Sequence, residues 1–302
     1  RTVLVEPDGQ KVERTTSGRL EGTVRHEVTV PEAAIAGSGK LLVKIYPGLF
    51  SSVVEGLDAL LQMPSGCFEQ TSSSTWPNVL VAKYLEETDS GAPELVARAH
   101  QYINTGYQRL LTFEVAGGGF EWFGNPPSHT VLTAYGLLEF TDMARVRTVD
   151  AQMIERTRAW LLAQQQGDGH WTAARGLDET GQLTDPVVIT AYVAFALAAA
   201  DPEQQSPALD RARDFLSARW REMGSYSLAL FANFLVAYQP NDPLTRQVLD
   251  ALAGEVQQRV EEAGQVVLQH WQTDEQTTTY GNGTPAFIET TALATHALLA
   301  AG

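Results

Sequence analysis

From residue 51 onward, apolar residues recur at i, i+3 and i+4 through ten successive stretches. This spacing predicts helices over Ser51–Gln62, Cys67–Glu87, Pro93–Thr112, Ser128–Asp142, Asp150–Gln166, Asp185–Ala200, Ser206–Glu222, Ser225–Tyr238, Pro243–Glu262 and Pro285–Ala301. Several starts carry a capping residue followed by proline, as in Asp185-Pro186, Asp242-Pro243 and Thr284-Pro285. Pro77 falls inside the second helix, where its missing N–H predicts a kink. Residues 1–46 have a different texture. Arg1–Val5, Gly22–Val30 and Lys40–Tyr46 are β-branched and partly alternating, with turn residues such as Gly37-Ser38-Gly39 between them, and are expected as strands.

A loose repeat runs through the helical part. Gly117-Gly118-Gly119-Phe120-Glu121-Trp122 precedes Thr130-Val131-Leu132-Thr133-Ala134-Tyr135. Gly167-Asp168-Gly169-His170-Trp171 precedes Val187-Val188-Ile189-Thr190-Ala191-Tyr192, and His270-Trp271 precedes Phe287-Ile288-Glu289-Thr290-Thr291-Ala292. Helix pairs that repeat bury their faces against one another. Helices this rich in Ala and Thr suit a crowded centre. The expected fold is mainly α, an α/α toroid of ten to twelve helices in hairpins, with a short N-terminal β segment.

An apolar content of 44% suffices for a substantial core. With 36 acidic against 21 basic residues, the net charge of −15 argues against nucleic acid or an anionic membrane as partner. No apolar run reaches the roughly 20 residues a membrane span needs. The chain opens at Arg1 without a leader, which suggests a piece of something longer. One cysteine excludes an internal disulfide, and no histidine spacing suggests a metal site, so no cofactor is expected.

That cysteine sits in Met63-Pro64-Ser65-Gly66-Cys67-Phe68-Glu69-Gln70. Pro64 and Gly66 mark a tight turn, which puts Cys67 at a helix N-terminus, where free N–H groups and the dipole favour thiolate. Positions i and i+3 share a helix face, so the Cys67 sulfur and the Gln70 carboxamide can meet. Attack of sulfur on that amide, with loss of ammonia, would give an internal thioester. The plainer readings are a buried thiol for Cys67, a solvated amide for Gln70 and a dipole-complementing carboxylate for Glu69.

Pro-Ser-Gly-Cys-Phe-Glu-Gln resembles the Pro-x-Gly-Cys-x-Glu-Gln thioester motif of the alpha-2-macroglobulin and complement family. Tyr102–Arg109, Thr130–Tyr135 and Asp185–Tyr192 extend the likeness in the same order over most of residues 50–302. The resemblance implies a thioester domain of α/α-toroid fold at 47–302, with residues 1–46 as part of a CUB-like β-sandwich. It implies that Cys67 and Gln70 form the bond and that a lysine amine of a target opens the thioester once, without turnover; beside them, Glu69 is a candidate polariser of the incoming nucleophile as well as a complement to the first-turn dipole. Water must be kept off such a bond, and Phe68, Trp76, Phe120, Trp122 and Phe123 are the expected cover, although plain core aromatics would look the same. Complement members that acylate hydroxyls carry a histidine in a stretch resembling Asp185–Thr190. Here Thr190 stands at that acyl-transfer position, which favours direct transfer to amines. His129 and His170, in the aromatic loops, are possible assistants. The implied partners are target proteases or surface proteins and the remaining domains of the parent chain, at an extracellular, periplasmic or cell-surface location.

Other functions stay open at this level. A hydrolysed thioester would leave a non-covalent binding module. A toroidal enzyme of terpenoid-cyclase or glycosidase type would need carboxylates at the inner ring mouth, where Glu139 and Glu289 stand out. A cysteine hydrolase would pair Cys67 with a histidine and turn over.

Overall fold

The computed structural model describes residues 9–10, 12–16, 22–45, 56–88, 92–173, 183, 185–201, 205–260 and 266–302. Two compact units, Arg1–Val54 and Glu55–Gly302, divide the chain. The expected boundary at 46/47 lies outside the described residues.

In the first unit the described parts of Gly22–Val30 and Lys40–Tyr46 are not strands. Strand Arg1–Val5 lies outside the described residues. Val28, Val30, Leu41, Leu42 and Val43 are all exposed. Alternation supplies a face to bury, but a strand also needs a neighbour for its N–H and C=O groups, and no described segment of this unit pairs with another.

The second unit is helical. After a helical stretch at residues 56–60 come α1 (Phe68–Glu87), α2 (Pro93–Leu111), α3 (Thr130–Met143), α4 (Ala151–Ala163), α5 (Pro186–Ala200) and α6 (Pro207–Ser217). Beyond α6 lie a 3₁₀ turn at Trp220–Glu222, α7 (Ser225–Tyr238), α8 (Pro243–Gly254), a two-stranded hairpin, and α9 (Thr284–Ala301). The odd-numbered helices α1, α3, α5, α7 and α9 pack in succession, and α2, α4, α6 and α8 each lie against the odd helix before them. This is the α/α toroid, with the odd helices inside. The inner helices α3, α5 and α7 are apolar nearly all round, whereas outer helices α2, α6 and α8 carry one apolar stripe. Inner helix α1 instead buries Thr71, Ser74 and Thr75. The Ser74 and Thr75 hydroxyls bond to carbonyls of their own helix, including Thr75 Oγ1 to Thr71 O at 2.7 Å, so small polar residues pass into a crowded interior. A Cβ at Gly106 of α2 would come within 2.6 Å of Thr75 Cγ2, so only glycine permits this α1–α2 approach.

The repeat has a physical basis. The backbone N–H of Phe120, Trp171 and Trp271 donates to Thr133, Thr190 and Thr291 Oγ1 at 2.9, 3.0 and 3.0 Å. In each unit the loop aromatic is thus pinned to the threonine of the following inner helix.

Two expected helices end early. α6 stops at Ser217 ahead of its 3₁₀ turn. α8 stops at Gly254, and Gln257–Val260 forms β1, antiparallel to β2 (Val266–His270), with Gln257 opposite His270. Pro77 does not end α1, which is helical through Glu87.

Candidate functional site

Cys67 is the N-cap residue of α1, in extended backbone, and Gln70 occupies the third helical position. The Gln70 side chain folds back so that its Oε1 accepts the Cys67 N–H at 3.2 Å. Sulfur and carboxamide therefore share one turn at the helix start. Gly66 makes this possible, with φ +87° and a missing Cβ that would lie 2.9 Å from Gln70 Cδ. The turn is held from outside. Arg109 of α2 donates to Gly66 O from Nε at 2.8 Å and Nη2 at 2.5 Å, and Thr71 Oγ1 reaches the Ser65 and Gly66 carbonyls. Cys67 is half-buried and Gln70 is exposed.

The expected cover separates into different places. Phe68 and Phe120 are fully buried, 5.1 Å apart between ring centroids, and form the floor with Phe113 and Phe140. Trp122 lies beside the site, its carbonyl accepting the Phe68 N–H at 2.9 Å and its Nε1 donating to Glu69 Oε2 at 3.3 Å. Trp76 is further along α1, bonded to Asp142 at 2.9 Å. Phe123 is 66% exposed. Its loop is fixed by Glu121, whose Oε2 accepts the N–H groups of Phe123 and Asn125 at 2.8 and 3.0 Å. Phe123 thus faces solvent and does not serve as cover.

Of the histidines, His129 is brought in and His170 is not. His129 caps α3 with Nδ1 accepting the Leu132 N–H at 3.3 Å, and its ring lies 4.6 Å from that of Trp122. Burial lowers its pKa to about 4, so it is neutral, and the occupied Nδ1 puts the proton on Nε2. His170 bonds Asp168 and stacks on Phe215 in the second repeat. Thr190 is corrected: fully buried, its hydroxyl is engaged by the Trp171 N–H, so it serves the repeat and does not offer a free acyl acceptor. Glu289 accepts from Tyr226 at 2.7 Å and Thr279 at 2.6 Å and so anchors the loop before α9, while Glu139 is buried with its pKa raised to about 8 by desolvation. The two have separate settings. No group of three metal-ligating side chains occurs, and no helix is long and apolar enough to cross a membrane, among the described residues.

A profile of the A-macroglobulin TED domain matches residues 43–301. The chain belongs to this family. It is also 26% identical over 230 residues to thioester-containing protein 1 allele R1 of Anopheles gambiae, a match covering 73% of this chain and 17% of that protein. The TED domain therefore spans less than a fifth of the length of that curated relative. Within it, Arg109 is the contributor to the site that sequence reading passed over. It closes the Tyr102–Arg109 stretch of the resemblance, but nothing local connects it to a turn 43 residues earlier. Tyr135 and the Thr278–Tyr280 loop were likewise missed, and they wall a cavity of about 80 Å³ with Glu69, Ser73, His129, Val131 and Leu132.

Proposed function

We propose that this TED domain forms an internal thioester between Cys67 Sγ and the side-chain carbonyl carbon of Gln70, and passes that acyl group once to a lysine amine of a target protein. The observation that carries the reading is the Gln70 carbonyl oxygen on the Cys67 N–H. This donor stays on the oxygen when attack turns it into an oxyanion, an arrangement worth on the order of a hundredfold in rate for one well-placed donor. In the forming step the Cys67 thiolate adds to the Gln70 carbonyl carbon, the C–N bond breaks, and the nitrogen takes up the proton the thiol gave up and leaves as ammonia. In transfer an amine adds, the C–S bond breaks and Cys67 departs as thiolate, its proton balance closed by the one the amine loses. Neutral His129, protonated on Nε2, has no free lone pair to relay the acyl group, and the Thr190 hydroxyl is buried. Both facts favour direct transfer to amines.

The role that fits is the covalent arm of a macroglobulin-like trap for proteases, spent after one reaction and so not an enzyme. Exposure of Gln70 calls for cover from the remaining domains of the parent chain. An extracytoplasmic address rests on the family resemblance. Intact mass of freshly prepared protein tests the chemistry. A deficit of one ammonia is expected, and methylamine restores that mass with one methyl group added and frees a titratable thiol. Full encoded mass, a thiol titratable from the start and no methylamine adduct would refute it. The same exposure of Gln70 favours a second reading, a non-covalent module with a hydrolysed bond, whose mark is a carboxylate at position 70.

A further inference from the structure

The cavity next to the first turn of α1 has no part in forming the thioester. Its α1 wall is Glu69 and Ser73, which flank Gln70 along the helix. Its α3 wall is Val131, Leu132 and Tyr135 with the capping His129, and its third wall is Thr278, Thr279 and Tyr280. We propose, building on the thioester reading, that this cavity is the acceptor subsite, which takes the ammonium end of an attacking primary amine and uses Glu69 as the base that removes its proton.

Four observations converge. The cavity is small: about 80 Å³ is far below the roughly 300 Å³ at which pockets begin to enclose a drug-sized ligand, and suits a charged tip with one or two methylenes. Its charge has the right sign. Glu69 is the carboxylate among its lining residues, and His129, held neutral by burial, adds no opposing cation. Tyr135 and Tyr280 put aromatic rings in the lining, a surface an ammonium favours, and Val131 and Leu132 add apolar surface for its stem. Finally, the walls are fixed. Trp122 Nε1 donates to Glu69 Oε2 at 3.3 Å and so holds the carboxylate. Tyr226 OH donates to Glu289 and accepts the Thr278 N–H at 2.9 Å, and Thr279 bonds the same glutamate. Next to them Tyr280 is held at φ +61°, a left-handed backbone that a tyrosine adopts only when its surroundings impose it.

The step balances. An alkylammonium gives one proton to the Glu69 carboxylate, and the free amine adds to the Gln70 acyl carbon. The C–N bond forms and the C–S bond breaks. The thiolate of Cys67 leaves and takes the second nitrogen proton, and Glu69 returns the first to solvent. The products are an amide, a thiol and one proton.

The test compares thiol release by methylamine, charged at neutral pH, with release by hydroxylamine, which is uncharged there. In Glu69→Gln the methylamine rate constant should fall on the order of a hundredfold, the scale of one general base, and the hydroxylamine rate by much less, so their ratio drops at least about tenfold. Ser73→Leu, which fills the cavity from a helix-compatible position and leaves the carboxylate in place, should slow propylamine more than methylamine. An ammonia deficit in each variant's mass certifies that its site has formed. If Glu69→Gln lacks the deficit, the propylamine-to-methylamine comparison in Ser73→Leu decides alone. Ratios unchanged from the parent protein in the variants that keep the bond would overturn the subsite while leaving the thioester standing. No deficit and no thiol release in the parent protein would remove both.

Discussion

Gly66→Ala isolates the geometry on which the thioester depends. The added Cβ would stand 2.8 Å from Gln70 Cβ and 2.9 Å from Cδ, inside any real carbon–carbon contact, on a residue with φ +87°. Two costs follow. Holding alanine in left-handed backbone costs roughly 1–2 kcal/mol. Driving the Gln70 side chain away breaks its bond to the Cys67 N–H, about 1 kcal/mol more. A total of roughly 2–3 kcal/mol lowers the melting temperature by about 5–10 °C in a domain of this size. The chemical consequence is sharper, because the carboxamide leaves the sulfur's reach and the ammonia deficit should vanish from the intact mass. Gly117→Ala supplies the control. Gly117 has φ +96° with nothing within 4 Å of its added Cβ, so it incurs the backbone cost alone and should keep the deficit. Thermal melts and intact masses of the two variants, side by side, separate strain from collision. A Gly66→Ala protein with the full ammonia deficit of the parent would refute the proposed placement of the Gln70 side chain.

Arg109→Met removes two bonds to the Gly66 carbonyl; because Arg109 is exposed, stability should fall by only about 1 kcal/mol, while the fraction of protein showing the ammonia deficit drops markedly in mass spectra. Thr190→Val leaves the buried Trp171 N–H without its acceptor and should cost about 1–3 kcal/mol in denaturant melts, with methylamine reactivity unchanged, as a structural threonine requires. Glu139→Gln addresses pH. Its folded pKa of about 8 stands above the ordinary glutamate value of 4.5, so between these limits the folded state holds a proton that the unfolded state has released, and stability falls as pH rises through that window. Melting temperatures at pH 5 and pH 8 should therefore converge in the variant relative to the parent. His129 acts in the opposite sense: its pKa is lowered to about 4, so it contributes stability above pH 6.5 that is lost on acidification toward pH 4.

What the sequence disclosed and what it withheld follow from the range of the interactions. Pro64, Gly66, Cys67 and Gln70 act within one helical turn, so local spacing placed the sulfur at the start of α1. The repeat was legible for the same reason, since each glycine–aromatic loop precedes its own inner helix. Residues 243–262 misled because Val248, Leu252, Val256 and Val260 recur every fourth position. That period continues past Gly254, where the chain turns into β1 to pair with β2. The strands expected at 22–30 and 40–46 failed from the opposite cause: their pattern was right, but a ladder needs a partner. Arg109, Tyr135 and Tyr280 reach the site through contacts between distant residues, and no window of sequence shows such a meeting.

The three repeats also give a reason for the proposed chemistry to sit at the first. In the second and third, the pinned aromatic is a tryptophan whose Nε1 donates back to the preceding outer helix, Trp171 to Leu161 O and Trp271 to Leu252 O, both at 2.7 Å. In the first, Phe120 takes that place. Its ring has no N–H to satisfy, and it packs instead against Phe68 and Phe140 as the floor beneath α1. The indole of this repeat has moved two residues on, to Trp122, where its Nε1 meets Glu69 and its carbonyl meets the Phe68 N–H. The same framework thus locks two of its loops to itself and turns the third toward the helix that begins at Cys67. If that exchange creates the site, Phe120→Trp should press a second indole into the space under Phe68 and shift the first turn of α1. The expected result is loss of the ammonia deficit with the helical circular dichroism retained, and a variant that forms the bond normally would show that the floor tolerates either ring.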